Sequence, residues 1–232
     1  MNPGRLIGIL TPSGNPTVEP EMVRMFGDEA VMVTARLCSD APTMLDRLLD
    51  YSNHVDEAIA TFGGLPLDAI GFAVTGTSYL LGAEAESNLR VLTAPIATRQ
   101  AFEALGVSRI ALVNPYPAAL VPPALAYWNA VGIEIAEIVD VQRTEGARHP
   151  IFDLTDAAVA AALQRASDGP GEAVLLTGSG IPSMRAMAMV ESSKPVLSSN
   201  LCLAWALLRQ VGKAHELRSW AAQARNWARM QP

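Results

Sequence analysis

Short hydrophobic runs alternate with amphipathic segments along the first hundred residues. The runs are "RLIGILT" (5–11), "AVMVTARL" (30–37) and "LDAIGFAV" (67–74). Segments rich in Ala and Leu predict helices near 17–28, 42–62 and 80–91, and "PIAT" leads into a further helix at "RQAFEALG". Strands that alternate with helices in this way indicate βαβ units and a parallel sheet.

The second half of the chain repeats the first. "IGILTP" (7–12) corresponds to "IALVNP" (110–115), "AIGFAVTG" (69–76) to "EAVLLTG" (172–178), and "APIATRQAFEAL" (from 94) to "KPVLSSNLCLAWAL" (from 194). Three pairs in the same order, at offsets between 100 and 103 residues, indicate an internal duplication. We therefore predict an α/β fold of two similar parallel-sheet lobes related by pseudo-twofold symmetry. The first lobe would comprise residues 1–100 plus 201–232, and the second residues 101–200.

Loops rich in Gly, Ser, Thr and Asn follow the predicted strands. They are "TPSGNPT" (11–17), "VTGTS" (74–78), "NPYP" (114–117), "TGSG" (177–180) and "SSN" (198–200). None carries a cation, but backbone N–H groups at helix starts, together with hydroxyl and amide side chains, can hold a carboxylate. Parallel sheets bind ligands at the carboxyl ends of their strands, so we expect a small-anion site in the cleft between the lobes. The alternative is that these residues serve only as turn and N-cap residues.

Composition and charge narrow the range of functions. The chain has 232 residues, half of them hydrophobic, and a formal net charge of −6. Its scattered basic residues form no stripe that would indicate a nucleic-acid partner. The apolar runs are too short for a membrane span, and the N-terminus lacks the pattern of an export signal. Two cysteines and three histidines, all far apart in sequence, have no metal-ligand spacing. We expect a cytoplasmic protein with reduced, buried cysteines, no metal and no cofactor.

Four stretches, in order, resemble the aspartate/glutamate racemase superfamily and, within it, the maleate isomerase and arylmalonate decarboxylase branch. They are "GILTPSGNPTVEPEM", "VTGTSYLLG", "LVNPYP" and "KPVLSSN". The resemblance extends from about residue 5 to residue 210 and includes the duplicated organisation. It implies a racemase-like two-lobed fold with the active site in the inter-lobe cleft.

The resemblance also implies residue roles. Asn15 matches an asparagine that binds a substrate carboxylate, and Asn200 a residue near the substrate end of the cleft. Thr75 and Ser78 match hydroxyls of the first active-site loop, and Tyr116 matches a tyrosine that hydrogen-bonds an enediolate. The family's two cysteines fall at Val74 and Gly178, so this sequence has neither. The same loops contribute the other candidate substrate-binding and catalytic residues, which are Pro12, Gly76, Thr77, Gly180 and Ser179.

The missing thiols affect the possible reactions unequally. Val74 and Gly178 can be neither acid nor base, which excludes a two-base racemase. They cannot form the covalent cysteine adduct of the family's maleate isomerases either. Decarboxylation is harmed least, because its difficult step requires only an apolar wall and donors for the enediolate. The predicted wall comprises Val74, Tyr79, Leu80, Leu81, Ile181 and Pro182; the donors are Thr75, Ser78, Tyr116 and the N–H groups after Gly178, with Tyr116, Ser179 or water as proton donor.

The sequence thus predicts a cofactor-independent lyase that acts on a small dicarboxylic acid or related carboxylate, most simply an arylmalonate-type decarboxylase. A maleate-type cis–trans isomerase, a hydratase or hydrolase, and a non-catalytic carboxylate-binding protein remain alternatives. Two further questions stay open: whether the protein forms a homo-oligomer, and whether Arg148 and His149, in a segment that resembles the family's mobile cap, contact the substrate.

Overall fold

The computed structural model describes residues 4–142 and 151–229. In these residues, two four-stranded parallel sheets share one topology. The first sheet has the order β2-β1-β3-β4, with strands β1 (Arg5–Pro12), β2 (Ala30–Leu37), β3 (Ala69–Phe72) and β4 (Leu92–Thr93). The second has the order β6-β5-β7-β8, with strands β5 (Arg109–Asn114), β6 (Glu134–Asp140), β7 (Ala173–Leu176) and β8 (Val196–Ser198). The predicted α/β fold of two similar parallel-sheet lobes is confirmed.

Helices connect the strands and cover the sheets. In the first half of the chain they are α1 (Val18–Phe26), α2 (Met44–Asn53), α3 (Val55–Ala60), α4 (Thr75–Glu86) and α5 (Ala94–Leu105). In the second half they are α6 (Val121–Ala130), α7 (Asp156–Asp168), α8 (Met184–Ala188), α9 (Ser199–Gln210) and α10 (Leu217–Arg229). None of the described helices is both long and apolar enough to cross a bilayer.

The central strands explain the continuous hydrophobic runs in the sequence. Ile7, Ile9 and Leu10 of β1 are fully buried, as are Ile110 and Val113 of β5. Helices cover both faces of a parallel sheet, so its central strands have no solvent-facing side and need no polar alternation.

Three of the predicted element boundaries are wrong. The helix expected near 80–91 begins at Thr75, so "VTGTS" forms its first turn rather than a loop. The segment 42–62 forms two helices with His54 between them. "PIAT" belongs to α5, because the Thr93 side chain accepts the Ile96 N–H as an N-cap and Pro95 suits the first turn.

Helix α9 follows the last strand of the second sheet but packs on the first. Leu203 and Leu207 cover Gly71 of β3 so closely that a Cβ at Gly71 would lie 2.8 Å from Leu207 Cδ1. The absence of a side chain at Gly71 therefore lets α9 approach the sheet. This contact is what the predicted return of the chain to the first lobe near residue 200 requires, and the lobe boundaries themselves stay a prediction.

Candidate active site

The loops at the carboxyl ends of the strands meet between the two sheets. Asn15 Nδ2, in the loop after β1, donates to Ser179 Oγ, after β7, at 3.3 Å. Thr17 Oγ1 donates to the Gly180 carbonyl at 2.9 Å, and the Ser179 hydroxyl donates to the carbonyl of Ala73, after β3. Hydrogen bonds between the lobes thus fix three of the predicted loops against one another.

A cavity of about 430 Å³ opens beside these contacts, within the range of small-molecule sites. Five of the predicted site residues line it: Pro12, Asn15, Tyr116, Ser179 and Gly180. The rest of its described lining comes from neighbouring loops and from α2, and comprises Ser13, Gly14, Ser39, Met44, Arg47, Leu48, Tyr51, Ile151 and Phe152. The cavity is therefore polar where the strand ends meet and mainly apolar along α2.

Tyr116 reaches from the cavity to the start of α4. Its side chain is buried, which raises the pKa of the phenol, while the nearby Gly76 N–H and Thr75 hydroxyl lower it by a smaller amount. A Cβ at Gly178, one of the two thiol positions, would lie 3.4 Å from Tyr116 Oη. Because its pKa is raised, the phenol is protonated at neutral pH and is available as a hydrogen-bond donor.

Two buried hydroxyls lie in the first turn of α4. Within the described part of the chain, Thr75 Oγ1 and Ser78 Oγ have no hydrogen-bond partner, and the N-cap Val74 provides no side-chain acceptor. An unpaired buried polar group costs about 1–3 kcal/mol. These hydroxyls, the uncapped N–H groups and the positive end of the helix dipole together suit a bound anion.

Other predicted residues hold the loops in place. The Thr77 hydroxyl donates to the Leu48 carbonyl at 2.5 Å and joins α4 to α2 instead of facing the cavity. Asn200 Nδ2 donates to Glu21 Oε2 at 2.8 Å and to the Ser179 carbonyl at 3.0 Å. Asn15 Oδ1 accepts the Thr17 N–H at 2.9 Å, which leaves its amide nitrogen for Ser179.

Neither thiol position has room for an added side chain without adjustment nearby. Gly178 has a φ of 97°, in the left-handed region that favours glycine. A Cβ there would lie 3.2 Å from both Ile181 Cδ1 and Pro115 Cγ. Val74 is buried at the N-cap of α4.

The two cysteines of the chain lie elsewhere. Cys202 is buried in α9, and burial raises the pKa of its thiol to about 12, so it is unreactive at neutral pH. Cys38 is exposed just after β2, which corrects the expectation that both cysteines are buried. Neither belongs to the described lining of the cavity.

The apolar wall was predicted at the wrong place. None of the six residues proposed for it belongs to the described cavity lining, which takes its apolar surface from α2 and residues 151–152. Since α4 begins at Thr75, Tyr79 lies one turn into the helix. Its hydroxyl pairs there with the Thr177 hydroxyl at 2.7 Å and accepts the Trp128 Nε1–H at 3.0 Å. Arg148 and His149 lie outside the described residues.

Glu21 of α1 is an important residue that sequence reasoning missed. Its buried carboxylate accepts hydrogen bonds from the Ser183 N–H (2.6 Å), the Ser183 hydroxyl (2.7 Å), the Met184 N–H (2.9 Å) and Asn200 Nδ2 (2.8 Å). Burial raises the pKa of Glu21, and these donors oppose the rise. Through Asn200 the carboxylate also holds the carbonyl of Ser179.

Comparisons with known proteins agree with this two-lobed arrangement. The family model for arylmalonate decarboxylase matches residues 7–223, so the chain belongs to the arylmalonate decarboxylase family. This confirms the predicted branch of the racemase-like superfamily. No protein with a curated description matches the sequence.

Solved structures share the fold. The maleate isomerase Iso from Pseudomonas putida S16 superposes with a TM-score of 0.80 at 19% identity, over 93% of this chain and 99% of its own. A Nocardia farcinica maleate cis-trans isomerase with a covalently bound succinylcysteine intermediate gives 0.75 at 22% identity, over 93% and 98%. An arylmalonate decarboxylase gives 0.71 at 18% identity, over 90% and 94%.

Replacing Glu21 should test how the lobes are held together. Glu21→Ala leaves four buried donors without their acceptor, so we expect the free energy of unfolding to fall by about 3 kcal/mol or more. Urea denaturation measures this change, with Glu19→Ala, at a half-buried position in the same helix, as the control. A loss below about 1 kcal/mol, within the range of an ordinary hydrogen bond, would show that water replaces the carboxylate without difficulty.

Proposed function

We propose that the protein is a cofactor-independent decarboxylase of malonate-type acids. The family, and the fold shared with decarboxylases and maleate isomerases, support one of these two activities. The observation that favours decarboxylation is the anion cradle, by which we mean the Tyr116 phenol, the Thr75 and Ser78 hydroxyls and the Gly76 N–H. Its two hydroxyls lack protein partners among the described residues, and neither adjacent thiol position carries a thiol.

The reaction would begin with one malonate carboxylate in the anion cradle and the other against the apolar wall. The bond between the α-carbon and the second carboxylate breaks, carbon dioxide leaves, and the electron pair forms an enediolate with the retained carboxyl group. An apolar surface such as that of Leu48 and Phe152 destabilises the departing carboxylate. Fixed donors stabilise the enediolate without having to reorganise.

A proton must then reach the α-carbon. We assign its transfer to Tyr116, whose raised pKa keeps the phenol protonated, and solvent water restores the phenol afterwards. Ser179 is the weaker candidate, because its hydroxyl already donates to the Ala73 carbonyl. The transfer converts the enediolate into the monocarboxylic product.

The isomerase alternative requires a nucleophile that this cavity lacks. The Nocardia farcinica enzyme carries a succinylcysteine intermediate, whereas Val74 and Gly178 have no group that attacks a double bond. This difference is why we place decarboxylation ahead of cis–trans isomerisation.

Tyr116→Phe tests the anion cradle. The change deletes one oxygen and keeps the ring, so it should lower kcat for phenylmalonate about a hundred- to a thousandfold, the usual cost of losing one donor to a developing oxyanion. Carbon dioxide release measures the rate. KM should change much less, because the charge on the retained carboxyl group grows in the transition state.

Tyr127→Phe is the matched control. Tyr127 is also a buried phenol, but its hydroxyl donates to Glu86 away from the described cavity lining, so kcat should stay near that of the parent. If Tyr116→Phe left kcat within about threefold of the parent, a barrier change of about 0.7 kcal/mol, Tyr116 would be neither donor nor proton source. A carboxylate-binding protein would then be the better hypothesis.

The double variant Cys38→Ser, Cys202→Ser separates the two candidate activities. Because neither sulfur lies in the described cavity lining, release of carbon dioxide from phenylmalonate should persist, and conversion of maleate to fumarate should be undetectable in parent and variant alike. Cys202→Ala in place of Cys202→Ser guards against misfolding of α9. Loss of turnover in a variant that is still folded would mean that one of these cysteines is the nucleophile.

A further inference from the structure

Arg47 is the one charged side chain in the described lining of the cavity. It lies on α2 with Met44, Leu48 and Tyr51, at the spacing i, i+3, i+4 and i+7 that defines one helix face. All four residues line the cavity. The otherwise apolar wall thus contains a single permanent positive charge.

The guanidinium of Arg47 is anchored but has no acidic partner. Its Nη1 donates to the Ala41 carbonyl at 3.0 Å and to the Pro42 carbonyl at 3.2 Å. Among the described residues it forms no ion pair; the nearby acids are engaged elsewhere, Asp46 with the Thr43 hydroxyl and Asp50 with the Ser39 hydroxyl, both at 2.6 Å.

A half-buried arginine with this surrounding suits a ligand carboxylate. The planar guanidinium has five N–H donors arranged for bidentate binding, and the two carbonyls occupy only one of its nitrogens. Their hydrogen bonds hold the group in place before a ligand arrives, which reduces the entropy cost of binding.

We propose that the substrate carries a third anionic group, on the substituent of the malonate carbon, and that Arg47 binds it. This inference rests on the proposed function, in which the retained carboxylate already has the anion cradle. An arginine paired with the departing carboxylate would stabilise the ground state and oppose the reaction. The charge of Arg47 is therefore matched to a different part of the substrate.

The cavity has room for such a substituent. At roughly 30 Å³ for each water-sized group, the seven heavy atoms of malonate fill about 210 Å³. This is about half of the 430 Å³ available. An aryl or alkyl arm that ends in a carboxylate would occupy the remainder along the α2 face.

Two substrates that differ in one group test the proposal. The value of kcat/KM is measured for (4-carboxyphenyl)malonate and for (4-methylphenyl)malonate with the parent, Arg47→Met and Arg47→Lys. The parent should prefer the carboxylated substrate at least about tenfold, as expected for a hydrogen-bonded charge pair. Arg47→Met should abolish the preference while it changes the methyl substrate less than about threefold, and Arg47→Lys should keep part of it.

A structural role for Arg47 would give a different result. If the parent showed no preference, or if Arg47→Met lowered both substrates equally in a folded protein, Arg47 would only support residues 41–42 and the proposal would be wrong. Thermal denaturation of each variant identifies misfolding, and Arg47→Gln provides a second neutral replacement.

Binding of the two products separates this proposal from the proposed function. Calorimetry with (4-carboxyphenyl)acetate and (4-methylphenyl)acetate requires no turnover. If neither malonate is decarboxylated but the carboxylated acetate binds more tightly and only when Arg47 is present, the decarboxylase assignment fails and the ligand class stands. If the two acetates bind equally well, or neither binds, the role of Arg47 is overturned.

Discussion

Contact between the lobes determines whether a site exists at all. Ser179 belongs to the second lobe, yet its hydroxyl bonds to Asn15 and to the Ala73 carbonyl of the first. Behind it, the buried carboxylate of Glu21 collects four donors and holds Asn200, which in turn holds the Ser179 carbonyl. A buried polar network of this kind is stable only when its members are satisfied. The separate loops of two sheets thereby become one rigid surface.

The anion cradle follows the opposite rule, and this contrast carries the functional argument. Thr75 and Ser78 are buried without partners among the described residues, although their neighbour Thr77 is fully engaged with Leu48. Unpaired hydroxyls beside a protonated phenol and a helix start cost stability in the free protein. They stabilise a negative charge that appears during a reaction, because they need no rearrangement to do so.

The sequence predicted the two-lobed fold because the duplicated pattern records the topology directly. It also predicted the residues at strand ends, since a parallel sheet brings such residues together. The apolar wall was misplaced because the helix start at Thr75 rotates Tyr79 away from the cavity, and loop length alone does not fix that boundary. Two charged residues could have been noticed: Glu21 shares a helix face with Val18, Met22 and Met25, and Arg47 with Met44, Leu48 and Tyr51. Which buried partner or cavity each one meets depends on packing between distant segments.

The position of an oxyanion in the cavity tests the central claim most directly. A crystal structure of the protein with benzylphosphonate, an anion that cannot be decarboxylated, should place phosphonate oxygens within about 2.7–3.2 Å of Tyr116 Oη, Thr75 Oγ1 and the Gly76 nitrogen, the usual range for hydrogen bonds. The benzyl ring should lie against Leu48 and Phe152. A phosphonate bound only at Arg47 or outside the cavity, with the anion cradle unoccupied, would contradict the proposal that these groups hold the reacting carboxylate.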